Sequence, residues 1–354
     1  MRTIVFNDTS IDDHHGCQLV MNQISTLATS VGMDIVVSCP LGYEWESDEW
    51  LKAEVRKAEL CIVNGEGTMH DDAPNAMRLG HLAQFCAAEN IPCVLINSVW
   101  QQNVELNELA PFFTAIYVRD PLSQAELARI GVSAQVVPDL TLSLECDQET
   151  LPRKGLIING SVIPHVLVDA WKEKNRANRD AVSYMSIRTL PPYPTKRSRE
   201  HFAGLYSRKR RKMLRHIVAS YFRPYSKMVT GKGLSRLRWR HAVLSTEKFL
   251  QRIKGSEGVI TGRFHMVTLC IVTRTPFYAL RSNTFKIEGL LQEVGLTDRI
   301  CSSYAEGISR KDKIQFSDAE LATISSYVGD ARRKSRSMFQ EIHDAVSRRQ
   351  AESR

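Results

Sequence analysis

An α/β fold of two facing, doubly wound, Rossmann-like domains is the architecture this sequence predicts. Three observations carry it. Short runs rich in Val and Ile recur along the 354 residues, amphipathic stretches separate them, and the alternation pauses once near residue 150 before resuming. Strands alternating with helices at this spacing form parallel sheets covered on both faces, and ligands then bind beyond the carboxyl ends of the strands.

The first half supplies six strand candidates: RTIVFND, MDIVVSC, AELCIVNGEG, IPCVLINSVW, FTAIYVRD and AQVVPDL. Helical periodicity fills the gaps in HGCQLVMNQISTLATSVG, NAMRLGHLAQFCAAEN and LSQAELARIG, whose closing Gly or Asn suits a helix C-cap. The polar ECDQETLPRKG divides residues 1–150 from a second domain, 151–317, whose strands include GLIINGS, AVSYMSIRTL, EGVITG and PFYALRS. A basic insert at about 195–245 interrupts that second domain. A helical tail, 318–354, has apolar residues at a spacing that would let it pack back across the first domain.

Composition is that of a globular protein, with no apolar run of bilayer-spanning length. Met1 and Arg2 lead into TIVF, too short for a signal-peptide core, so the expected location is the cytoplasm. Eight scattered cysteines without a CxxC pair read as buried thiols rather than a zinc site. The net charge of +8 is local: residues 208–240 hold 12 Lys and Arg and no acid, leaving the rest of the chain at −4. Tyr221, Phe222, Tyr225 and Trp239 interleave with these cations. No nucleic-acid motif accompanies them, so an anionic membrane surface on the inner face and a simple solvated helix face are the two readings that remain.

Chemistry-bearing residues cluster at strand ends. Asn64, Gly65, Glu66, Gly67 and Thr68 follow a buried strand; this is neither a dinucleotide fingerprint nor a Walker loop, and its glycines would let the backbone approach a ligand. Glu66 between two glycines has no packing purpose and is a candidate catalytic carboxylate, with His70 close behind. His14 and His15 precede Gly16 at a helix start, either facing the cleft or solvated; neighbouring histidines seldom converge on one ion, so no metal site is expected. Arg119 ends another strand as a candidate donor-binding cation or a brace for its loop, Asp120 beside Pro121 reads as an N-cap, and Asp139 stands at the domain boundary as a second candidate carboxylate.

The stretch GVITGRFHMVTLCIVTR places Arg263 and His265 where a buried strand becomes an apolar helix. A helix N-terminus favours an anion, a guanidinium grips carboxylate or phosphate, and an imidazole moves protons near neutral pH. One strand later Ser282, Asn283 and Lys286 repeat the arrangement, so two helix starts would hold one anionic ligand.

In this order, the glycine-rich strand end at Gly65–Gly67, VRDPLS, Pro138-Asp139, GRFH and the Ser-Asn-x-x-Lys run ending at Lys286 resemble the polysaccharide pyruvyl transferase family. The resemblance implies a GT-B-like fold. It implies transfer of an enolpyruvyl unit from phosphoenolpyruvate to two hydroxyls of a cell-surface glycan, with Arg263 on the donor and His265 as acid/base. It also implies a saccharide acceptor, either the cell-surface polysaccharide or its lipid-linked precursor. That chemistry needs cations and proton-transfer groups, and no cofactor is expected. The sequence departs from the family's glycine run by placing Glu66 in it. Glu66 with Asp139 would equally suit a glycosyltransferase using a CMP-activated keto-sugar, Asp139 attacking and Glu66 moving the proton. A non-catalytic glycan- or lipid-binding protein is the third reading.

Overall fold

The computed structural model describes residues 1–146, 152–177, 181–190, 200–221, 245–282 and 284–352. Asn283 and most of the aromatic half of the basic insert lie outside these residues. The first sheet takes β1 (Arg2–Asp8), β2 (Asp34–Pro40), β3 (Leu60–Glu66), β4 (Cys93–Ser98), β5 (Ala115–Val118) and β6 (Gln135–Val136). All its pairings are parallel, in the order β2-β1-β3-β4-β5-β6. The second sheet takes β7 (Leu156–Ser161), β8 (Val182–Tyr184), β9 (Gly258–Gly262), β10 (Phe277–Leu280) and β11 (Ile300–Cys301). It too is parallel, ordered β11-β10-β9-β7-β8.

Both sheets reverse their winding direction beside the first strand, between β1 and β3 in one and between β7 and β9 in the other. Crossover connections diverge at such a point and leave a crevice at the strand ends. Asn64–Thr68 and the loop carrying His14 belong to the first crevice, and Arg263 with His265 to the second.

Helices α1 (His15–Ser30), α2 (Glu49–Arg56), α3 (Pro74–Ala88), α4 (Leu106–Leu109) and α5 (Pro121–Arg129) flank the first sheet. The Asp120 carboxylate accepts from the Ser123 N–H at 2.8 Å, the N-cap its sequence predicted. In the second half follow α6 (Pro164–Arg176), α7 (Ala203–Tyr221), α8 (Thr246–Lys254), α9 (Phe264–Val272), α10 (Lys286–Val294), α11 (Tyr304–Ser309) and α12 (Asp318–Glu352). Every residue of α9 is buried, which is why its sequence is apolar all round.

Two features tie the halves together. Leu19, Leu142 and Leu144 from the first half join Phe264, Met266 and Val267 of α9 in one apolar cluster. Helix α12 then spans both: Ile324, Val328 and Ala331 pack into that cluster, whereas Met338, Phe339, Ile342 and Val346 lie against the first sheet. The tail thus returns across the first domain.

Helix α7, which departs from the second domain in chain order, packs on the first. Phe202 and Tyr206 enter the first domain's core, the Tyr206 hydroxyl donates to Asp8 at 3.2 Å, and His201 stacks on Trp50. The described part of the basic insert is therefore mounted on the domain opposite the one that encodes it.

Candidate functional site

Three adjacent strand ends in the first sheet carry non-glycine residues in left-handed backbone: Asn7 (φ 64°), Glu66 (φ 37°) and Asn97 (φ 55°). Such conformations are disfavoured for side-chain-bearing residues and persist only where surroundings enforce them. Here a buried amide network does so. Asn7 donates to the Asn64 carbonyl at 2.6 Å, Asn97 to the Asn64 side chain at 3.3 Å, and Asn64 to Glu66 Oε2 at 3.3 Å. Glu66 is held facing the crevice though only 5% exposed.

The sequence predicted that Gly65 would admit a ligand. Instead it admits the neighbouring strand: a β-carbon there would lie 2.3 Å from Ser98 Oγ, whereas Gly67 borders open space. Thr68 accepts from the Asn7 amide at 3.2 Å and closes the loop on Gly65. His70 bonds its neighbour Asp71 at 2.6 Å.

His265 from the second domain reaches across to two carboxylates of the first. Its Nε2 stands 3.7 Å from Glu66 Oε1 and 3.7 Å from Asp139 Oδ2, ion-pair range but too long for a hydrogen bond. That nitrogen is buried and has no hydrogen-bond partner. Asp139, 1% exposed, accepts from Arg119 at 2.9 Å and from both the N–H and the hydroxyl of Thr141. Burial alone would raise its pKa; His265, Arg119 and Thr141 outweigh it and hold the carboxyl well below the usual range. Arg119, expected among the donor-binding residues, is thus the bracing partner of Asp139, and its guanidinium also covers the Phe264 ring at 4.7 Å.

The two histidines of α1 part ways. His14 is half-buried at the helix N-cap, its Nδ1 accepting from the Gly16 N–H at 3.1 Å and its ring edge-on to His265 at 5.2 Å. Burial first, then His265 and Arg263, push its pKa well below the ordinary value. His15 points the other way, stacked on Phe249 at 4.1 Å and bonded to Thr246, with its pKa pushed down to about 3 by burial. It is a packing histidine and does not face the crevice.

Two neighbours escaped the sequence reading. Gly16 lies directly against the His265 ring, and the Cys17 thiol donates to Glu66 Oε1 at 3.0 Å. The string HHGC held the signal, because a glycine that opens a helix leaves room for something else.

Arg263 is the N-cap of α9 with its N–H bound to Thr261 at 3.0 Å, and Lys286 is the first residue of α10. Burial and then the cations Arg119 and Arg263 lower the Lys286 pKa to about 8. Two helix starts therefore bring a guanidinium and an ammonium into one electrostatic neighbourhood, with Ser282 just before the second. No three-carboxylate or carboxylate–histidine metal cluster forms from Asp13, His14 and His15 among the described residues: Asp13 pairs with Arg188 instead.

Residues 30–284 match the family model described as polysaccharide pyruvyl transferase. No curated protein sequence matches the chain. Among solved structures, a UDP-N-acetylglucosamine 2-epimerase superimposes with a TM-score of 0.51 at 9% identity, over 99% of this chain and 97% of that one. The Methanocaldococcus jannaschii UDP-GlcNAc 2-epimerase, complexed with UDP-GlcNAc and UDP, gives 0.48 at 11% identity over 92% and 98%. Anabaena Alr3699/HepE, complexed with UDP and glucose, gives 0.46 at 10% identity over 100% and 99%. The first of these likenesses concerns fold alone and agrees with two parallel-sheet domains of GT-B type.

Proposed function

The chain belongs to the polysaccharide pyruvyl transferase family and is a polysaccharide-modifying transferase; from that premise we propose that it moves the enolpyruvyl unit of phosphoenolpyruvate onto two hydroxyls of a saccharide, making a pyruvate ketal. One observation carries this reading: a proton-transfer imidazole between two carboxylates, His265 with Glu66 and Asp139, stands beside the cations Arg263 and Lys286 at two helix starts.

Arg263 and Lys286 bind the donor's phosphate and carboxylate. His265, held beside Asp139, gives a proton to the donor methylene carbon, while Glu66 takes the proton of the attacking sugar hydroxyl. The carbon bearing phosphate gains a C–O bond. A second hydroxyl then gives its proton to His265, which lost one in the first step, and displaces phosphate. The phosphate leaves with the C–O electron pair and takes the proton held by Glu66, so the ketal closes and both groups are restored. One phosphoenolpyruvate and one diol yield one ketal and one inorganic phosphate. Asp139 orients and stabilises the imidazolium rather than reacting, as a buried carboxylate bonded on both oxygens must. The same burial weighs against the glycosyltransferase reading, which needs Asp139 as a nucleophile on a CMP-activated keto-sugar.

The acceptor we favour is lipid-linked and met at an anionic membrane surface. Phe202, just before α7, and Tyr206 within it anchor the chain to the first domain, while Leu214 (41% exposed) and Val218 (53%) stand one turn apart among exposed Arg208, Arg211, Lys212 and Arg215. A basic helix with an unburied apolar edge suits a headgroup layer. Among the described residues no helix is long and apolar enough to cross a membrane.

The test is saturation-transfer and thermal-shift binding with phosphoenolpyruvate, CMP, CMP-Kdo and CMP-sialic acid. Phosphoenolpyruvate binding that weakens on the order of 100-fold in Arg263→Ala, the loss expected of an anion clamp worth a few kcal/mol, supports the reading. Binding of CMP or a CMP-sugar, with none of phosphoenolpyruvate, overturns it in favour of the glycosyltransferase.

A further inference from the structure

The crevice carries a ligand set that adds to His265 two residues with no role in pyruvyl transfer, His14 and Cys17. His14, Cys17 and His265 each offer one donor atom, and these atoms lie within 4.8 Å of one another. The first two come from the start of α1 and the third from α9, so the set exists only where the two domains meet. Tetrahedral zinc, with bonds of about 2.0–2.3 Å, holds its donors roughly 3.3–3.8 Å apart, so about 1 Å of side-chain adjustment would close the set.

We propose that this trio binds a zinc-class divalent cation, and that the bound ion withdraws His265 from proton transfer, making the site inhibitory. Four features support it. Two imidazoles and a thiol are the donors that borderline cations prefer over water and that magnesium and calcium do not. The buried His265 Nε2, in a residue only 7% exposed, has no hydrogen-bond partner to compete with an ion. The Cys17 thiol already donates to Glu66 at 3.0 Å, so the proton displaced when sulfur binds the metal has an acceptor in place. Three protein ligands also leave a fourth position for water or a donor oxygen.

Opposing groups are also present. Arg263 and Lys286 lie close enough to disfavour protonation of His14 and would likewise resist a cation, whereas Glu66 and Asp139 attract one. His14 must release the Gly16 N–H from Nδ1, since metal binding through either ring nitrogen removes that acceptor. Only the inhibitory consequence rests on the proposed role of His265, because a metal-bound neutral imidazole has no free lone pair; the binding itself does not.

Cobalt(II) chloride titrated into the full-length, chelator-treated protein tests binding without any turnover assay. One equivalent per chain is expected, with tetrahedral d–d bands and a thiolate-to-cobalt charge-transfer band. Cys17→Ser should abolish the charge-transfer band and weaken binding at least 100-fold, and His14→Ala should weaken it similarly, with circular dichroism confirming that both variants fold. No charge-transfer band, or a band that survives in folded Cys17→Ser, overturns the site. In parallel, micromolar zinc should suppress turnover of the untreated enzyme reversibly, with chelator restoring it. Zinc that binds without suppressing turnover overturns the inhibitory role. Phosphoenolpyruvate binding in the metal-free protein is judged separately, so failure of the metal site leaves the transferase reading intact.

Discussion

Gly16 and His265, from different domains, are packed so closely that a β-carbon at residue 16 would sit 2.3 Å from the His265 Cγ and 2.4 Å from its Cβ. Real β-carbons do not approach that near, and the atoms met are at the root of the side chain, where no rotamer can retreat. The second residue of α1 is a glycine because the His265 imidazole occupies the space.

Gly16→Ala should therefore displace His265 from Glu66 and Asp139. An alanine inside α1 is favoured by about 1 kcal/mol over glycine, which offsets part of the clash. The expected result is a folded protein whose kcat falls on the order of 100-fold, since a 1 Å misplacement of a reacting group has that effect. Unchanged kcat in Gly16→Ala would mean that His265 is not positioned by this contact.

Arg119 and Asp139 form a buried ion pair at 2.9 Å, with side chains 4% and 1% exposed. Arg119→Met should cost roughly 3–5 kcal/mol of unfolding free energy, because it leaves a buried carboxylate with less compensation. The folded-state pKa of Asp139 lies below its unfolded value near 3.9, so its contribution is present above about pH 4 and is lost as pH falls through the folded value. Weakening that depression moves acid unfolding to higher pH. Denaturant melts at several pH values would reveal it, and Arg119→Met/Asp139→Asn should recover part of the loss. Equal stability of Arg119→Met and wild type would remove the bracing role.

How much of this was legible in the sequence divides along physical lines. Parallel strands buried on both faces read as continuous Val/Ile runs, so both sheets showed through, as did the buried α9 and the Asp120 cap. Glu66, Asp139 and His265 each stood out as polar residues at apolar strand ends. Their convergence did not show, because it depends on how two domains pack and no local pattern encodes that. The same reason hid Gly16 and Cys17, left Arg119 open between an anion and a loop brace, and left His15 undecided when Phe249, more than two hundred residues away, determines its burial. Gly65 misled because close approach to Ser98 and close approach to a ligand demand the same residue.

Helix α7 exposes Leu214 and Val218 next to four exposed cations. Leu214→Ser with Val218→Ser should weaken sedimentation with anionic vesicles about tenfold in physiological salt, where the apolar contribution matters most. Arg208→Ser with Arg211→Ser should act more strongly at low salt, because charge attraction is screened as ionic strength rises. Neither change touches Phe202 or Tyr206, so the helix should stay docked. Vesicle binding that survives both pairs would mark α7 as a solvated face.

On the proposed reading, Lys286 should set the alkaline limit of donor binding. Its pKa is lowered to about 8 by burial and by Arg119 and Arg263, so the free protein carries most of this charge at pH 7 and loses it above about pH 8. An anionic donor binds the charged form better and raises the Lys286 pKa on binding. Between the free and bound values, affinity should fall up to tenfold for each unit of rising pH. The donor phosphate is already ionised throughout that window and adds no slope of its own. Lys286→Arg keeps its charge at all these pH values, so donor affinity in that variant should stay flat from pH 7 to about 9.5 even if its absolute value drops through poorer fit. Isothermal titration of phosphoenolpyruvate across that range would decide it: a flat wild-type profile removes Lys286 from the donor site, and a slope that persists in Lys286→Arg assigns the titration to another group.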